Sequence, residues 1–185
     1  MSPILGLIAS GISGNLGPSL AYDSIATFTL SSATSSITFS SIPATYKHLQ
    51  LRTVSINSTA GNRLIQAGSG SVDTGNNYGI QELYGNGSGV AVAGVLGPAS
   101  SAQLFYAQPD ASTSAASITD ILDYTNTNKA TSFRTLGGID LNGSGRITFT
   151  GGYWNNTAAV DILKVLPSGG NFEAGSKFAL YGIKG

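Results

Sequence analysis

Between Ser36 and Arg52 the chain reads SITFSSIPATYKHLQLR, in which Ile37 and Phe39, then Leu49 and Leu51, alternate with polar residues. A spacing of two is the period of a half-buried strand. Pro43 cannot donate to a ladder and so marks a corner between two such strands. The segment KFALYGIKG from Lys177 repeats the pattern, with Phe178 and Leu180 on one side and Ala179, Tyr181 and Ile183 on the other. Apolar character on both sides predicts burial on both, as a central strand or at a subunit contact.

The same reading predicts strands over Ser24 to Leu30, Ser35 to Ser40, Tyr46 to Ile56, Arg63 to Ala67, Tyr78 to Tyr84, Ser101 to Tyr106, Ala115 to Tyr124, Thr131 to Ile139, Gly145 to Trp154, Val160 to Val165 and Lys177 to Ile183. Between them lie AGSGSVDTGNN, GNGSG, LNGSG and PSGGN, whose residues accept positive φ or form Asx turns. Over Ala111 to Tyr124 a short helix is the alternative, because Ile118, Ile121 and Leu122 also have helical spacing. The crowding of Ser and Thr there favours the strand. Short strands recurring with turn signals predict an all-β fold, an antiparallel β-sandwich of jelly-roll type.

No composition shift or polar linker divides the chain, so residues 21–185 are expected to form one domain and residues 1–20 an extended N-terminal arm. The arm has no positive n-region, and Gly6, Gly11, Gly14 and Gly17 interrupt it. It lacks the ~20 apolar residues of a bilayer span, so no membrane partner is expected. Ile4, Leu5, Leu7, Ile8 and Ile12 are costly in water and are expected to pack on the body or on another chain.

With 185 residues, 41% of them hydrophobic, the chain can bury one good core. Nine basic and nine acidic side chains sum to zero, and the basic ones are scattered singly. Nucleic acid is therefore not an expected partner, because phosphate neutralisation needs a basic stripe. The absence of cysteine removes disulfides and thiolate metal sites.

Chemistry-bearing motifs are scarce. His48 is the one histidine, and with Tyr46, Gln50 and Arg52 it falls on the polar side of its strand, which makes it a contact residue and not a base. Nucleophile elbows, zinc-peptidase helices and phosphate loops are missing. Asp120 and Asp123 are the closest acidic pair, but residues three apart on a strand face opposite ways. Asp140-Leu-Asn-Gly-Ser-Gly145 opens like a calcium loop, yet its twelfth position is Gly151 where a bidentate Glu is needed, so a hairpin turn is the better reading. The sequons at Asn57, Asn86, Asn142 and Asn155 would need a secretory route, for which the chain shows no signal. Tyr78 and Tyr84 stand beside glycine loops, where they are candidate contacts for a sugar or a protein. No catalytic, cofactor or metal residue is assigned, and no enzyme activity is expected.

The phrases AYDSIATFTL, ITFSSIPATYKHLQLR, ILDYTNTNK and FALYGIKG, with PILGLIASGISGNL before them, resemble small virion structural proteins of tailed phages, notably those infecting cyanobacteria and other aquatic bacteria. The likeness spans most of the chain and lies in phrases and their order. It implies a capsid decoration or cement protein, made in the host cytoplasm and placed on the capsid surface, or else a fibre-like head or tail component that binds a receptor or glycan. Several such decoration proteins are jelly-roll trimers. The resemblance implies a homotrimer contacting the major capsid protein or another virion protein. Candidate interface residues are Ile4, Leu5, Leu7, Ile8, Ile12, Tyr46, His48, Arg52, Phe178, Leu180, Tyr181 and Ile183.

Overall fold

A computed structural model describes residues 21–107 and 113–185. The expected arm and its five apolar residues lie outside the described residues. Among the described residues thirteen strands follow in chain order: β1 (Tyr22–Thr29), β2 (Ile37–Phe39), β3 (His48–Ser55), β4 (Gly61–Ser69), β5 (Ser71–Val72), β6 (Tyr78–Gly85), β7 (Val90–Ala99), β8 (Ala102–Ala107), β9 (Ala115–Leu122), β10 (Thr131–Asp140), β11 (Gly145–Trp154), β12 (Ile162–Pro167) and β13 (Lys177–Ile183). They form an eight-stranded sheet, ordered β1-β13-β3-β9-β10-β11-β6-β7, and a five-stranded sheet, β2-β12-β4-β5 with β8 also paired to β4. The pairings are antiparallel, as in β10–β11 and β3–β9. The two sheets pack as a sandwich, the class the alternation predicts; the strand order does not establish the finer jelly-roll connectivity.

The Pro43 corner does more than turn a hairpin. It carries the chain from β2 in the small sheet to β3 in the large one. Ile42 is buried there, and the Tyr124 hydroxyl donates to the Pro43 carbonyl, which pins the corner to the end of β9. Leu49 and Leu51 then point inward with no exposure, as their alternation predicts. They belong to one core between the sheets with Phe39, Ile65, Leu104, Phe105, Ile121, Phe133, Leu163, Val165, Phe178 and Leu180.

The helix alternative over Ala111 to Tyr124 is not adopted in the part of that segment the structure describes, from Thr113 onward. From Ala115 the burial alternates strictly, with Ile121 inside and Ile118 47% exposed. Pairing on both sides, to β3 and β10, holds this segment extended against its local spacing. Two strands were not legible. Ser71–Val72 is a two-residue extension inside a stretch read as connector, and Val90–Ala99 falls in no expected strand, yet it pairs with β6 over most of its length.

The calcium-like loop is a hairpin turn between β10 and β11. Asp140 Oδ1 accepts the Asn142 N–H at 3.0 Å, and the Ser144 carbonyl accepts the Leu141 N–H at 2.9 Å. Asn142 and Gly143 take left-handed φ of 56° and 99°, which explains the Asn-Gly pair.

Candidate functional site

The large sheet has an unusual polarity across its middle strands. Facing the small sheet are Thr53, Ser117, Thr119, Thr135, Thr148 and Thr150, all buried. Hydroxyls become tolerable inside only when paired. Thr53 and Ser117 meet at 2.8 Å, and Thr119 and Thr135 at 2.9 Å, each across a strand pair. Thr150 Oγ1 finds no partner among the described residues.

The outer face of the same strands is apolar. Register places Ile118 opposite Leu136, Leu136 opposite Phe149, Phe149 opposite Leu83, and Leu83 opposite Val92. These five side chains form one unbroken row across five strands, and their exposures are 47, 54, 47, 47 and 81%. Two residues along the strands lies a second row, Val54, Ala116, Gly138, Ile147, Gly85 and Val90. Its small members leave room between its large ones. A shallow trough of about 600 Å³ lies over Val54, Ala116, Ile118, Leu136, Gly138 and Ile147. A second, of about 690 Å³, lies between Ile147, Gly85 and Val90. Single exposed apolar residues are ordinary, but a contiguous band of this kind is not.

Toward the other end of the strands the outer face turns polar. Asp120 accepts from Gln50 Nε2 at 2.9 Å and Arg134 Nη2 at 2.8 Å. Burial pushes its carboxyl up, but the Gln50 and Arg134 hydrogen bonds outweigh this and hold it below the usual carboxylate range. Asp123, in a left-handed turn of φ 49°, is flanked by Lys129 Nζ at 2.5 Å and Lys47 Nζ at 3.3 Å, and their hydrogen bonds lower its carboxyl as well. His48 Nδ1 accepts the Asp123 backbone N–H at 2.9 Å. Its lone pair is thereby used, so the 3.5 Å approach of Asp123 Oδ1 to the same nitrogen is not an ion pair. His48 ties the start of β3 to the end of β9.

A second polar group lies inside, under β6 and β11. Arg146 Nη2 meets Glu82 Oε1 at 2.5 Å, and Gln103 Nε2 donates to Glu82 Oε2 at 3.0 Å. The Arg146 guanidinium lies 3.6 Å from the centre of the Tyr84 ring and 4.8 Å from that of Tyr106. Arg63 is also buried, donating to Ser55 Oγ at 3.3 Å and the Gly61 carbonyl at 3.2 Å. Burial lowers its guanidinium to about 10, which leaves it charged at neutral pH. Each charged group here has protein partners.

The residues singled out from sequence fall in three places. Arg52 and Tyr181 do sit together on the outer face, with the guanidinium 4.8 Å from the Tyr181 ring centre and 5.5 Å from that of Tyr22, so Arg52 joins β3 to β13 and β1. Ile183 and His48 are half-buried on that face. Tyr46 precedes β3 and is half-buried, its ring lying over Gly182, and Gln50 is buried at 8% exposure, so the expected display of polar side chains is narrower than the alternation implied. Phe178 and Leu180 are corrected from interface to core, at 1 and 0% exposure, because their side of β13 faces the small sheet. Of the two candidate loop contacts, Tyr78 is corrected to core and Tyr84 is half-buried. Tyr78 is 1% exposed, with its hydroxyl accepting the Ala67 N–H and donating toward the Asp73 carbonyl, while Tyr84 lies beneath Arg146. Burial pushes the Tyr78 hydroxyl above its usual range. Asp120 and Asp123 both lie near His48 at the polar end of the outer face, the first held by Gln50 and Arg134 and the second by Lys129 and Lys47. The outer apolar rows went unassigned from sequence, although ITDIL, FRTLGG and ITFTG carry the signal, with Thr on one side of each strand and Ile, Leu or Phe on the other.

No family model matches the chain, and no curated protein does. A solved structure of a protein of unknown function from Shewanella oneidensis MR-1 aligns over 99% of this chain and 95% of that one, at 8% identity and a TM-score of 0.28. A likeness at that level carries no argument about fold or function.

Proposed function

We propose that this protein is a non-enzymatic virion structural protein of a tailed phage, a capsid decoration or cement protein that oligomerises on the head surface and stabilises the shell. The phage setting rests on the phrases quoted above. The mode of action rests on one observation, the exposed apolar row Ile118, Leu136, Phe149, Leu83 and Val92. A rigid sheet that presents such a row, and in which Asp120 with Arg134 and Glu82 with Arg146 are joined across strands, is suited to holding neighbours and not to turnover. In this reading the protein associates with itself and contacts the major capsid protein or another virion protein.

A fibre component that binds a receptor or glycan is the alternative setting. It loses Tyr78, which is buried, and keeps Tyr84 only as a half-buried ring against Arg146. Imaging the protein in the virion separates the two. The cement reading expects copies at capsid lattice positions, in a number that follows the lattice, whereas a few copies confined to the tail contradict it.

A further inference from the structure

We infer that the apolar band on the outer face of the large sheet, centred on Leu136 and Phe149, is where one copy of this chain packs on a second copy. The inference rests on the associative reading above and names the surface it uses. Three observations point to a second copy. The first is size: the two rows cross five and six strands and form the apolar part of an outer face that, at eight strands with ~4.8 Å spacing and ~3.3 Å rise per residue, measures about 34 by 26 Å in all. That is close to the ~800 Å² per partner of a standard interface. The second is anatomy. The two apolar rows are free of charge, and charged groups stand at their border: Arg52, Arg134 and Lys177 against Asp120 and Asp140. An apolar centre within a polar rim is the arrangement of a protein interface.

The third is charge. A rim of both signs, with Arg134 and Asp120 already joined at 2.8 Å, sets up no strong field of one sign to draw a basic or acidic partner. The chain's formal net charge is zero, so copies do not repel one another at long range. Twisted sheets stack about 10 Å apart with strands nearly aligned, and the large side chains of one copy would then enter the troughs over Ala116, Gly138 and Gly85 of the other.

Light scattering after size exclusion, across a range of protein concentrations, reads this directly. The wild type is expected at a multiple of 18.8 kDa. Leu136→Asp and Phe149→Asp, each at a central position, should weaken association at least ~100-fold, as loss of an interface anchor does. Thr38→Asp, on the exposed side of β2 in the small sheet, should leave the mass unchanged. Circular dichroism reports whether the aspartate variants fold. If they do not, Leu136→Cys decides, because the chain has no other cysteine: mild oxidation should give a disulfide-linked dimer there, and none in Thr38→Cys.

A wild type of single-chain mass leaves the face to another occupant, such as residues 1–20 or a different protein, and overturns the inference. So does a folded Leu136→Asp chain that keeps the wild-type mass, or a Leu136→Cys chain that does not cross-link. Copies found singly on phage heads would overturn this surface while leaving the virion reading intact. An oligomer that dissociates in Leu136→Asp but occurs in no virion would do the reverse.

Discussion

Gly182 lies beneath the Tyr46 ring, so close that a Cβ there would fall 2.3 Å from its carbons. The contact lets a residue outside any strand cover the end of β13, and it requires glycine for space. Gly137 is similar under Phe105, where a Cβ would fall 2.8 Å from Cγ. Gly182→Ala is expected to cost about 1–3 kcal/mol through overpacking, read as a lower urea midpoint with an unchanged slope. Acid sensitivity also belongs to single residues. The Asp73 carboxylate is held below its ordinary 3.8 by hydrogen bonds from Trp154 and Asn77, despite an upward push from burial, and Asp120 is lowered too. Carboxyls depressed in the folded state add stability that is present above the unfolded value and lost as pH falls through the folded one. The melting temperature should therefore hold at neutral pH and drop as pH falls below about 4. Asp73→Asn should flatten that drop, and an unchanged acid slope would count against this account.

At the level of elements, alternation showed the strands but not which face is dry. Gly145–Trp154 was read to the residue, yet its Thr148 and Thr150 face inward and its Ile147 and Phe149 outward. Val90–Ala99 escaped because Gly and Ala dilute its pattern, and it is a strand only through its partner β6. The Glu82 and Arg146 pair under β6 and β11 was invisible because its residues are 64 positions apart. Glu82→Ala should cost ~3–5 kcal/mol in denaturant unfolding, since it strands the Arg146 charge between two tyrosine rings. The double replacement Glu82→Met with Arg146→Met should recover much of that loss. Equal losses in the single and double variants would mean the pair is not the source.

The molecule as a whole turns on which side of the large sheet is dry. Sequence reasoning placed Phe178 and Leu180 at a subunit contact because β13 is apolar on both faces, but the small sheet packed on their side of β13 accounts for them within one chain. The surface left over lies toward the opposite edge of the sheet, on β9, β10, β11, β6 and β7. Finding it needed register, since Ile118, Leu136, Phe149, Leu83 and Val92 come from five separate segments. An association surface of this kind suits a repeated shell component. Electron cryo-microscopy of the intact virion is the most direct measurement of that claim. The account expects the sandwich at regular capsid lattice positions, with the outer faces of the large sheets turned toward one another. Density for the protein only at the tail, or none in the particle, would contradict it.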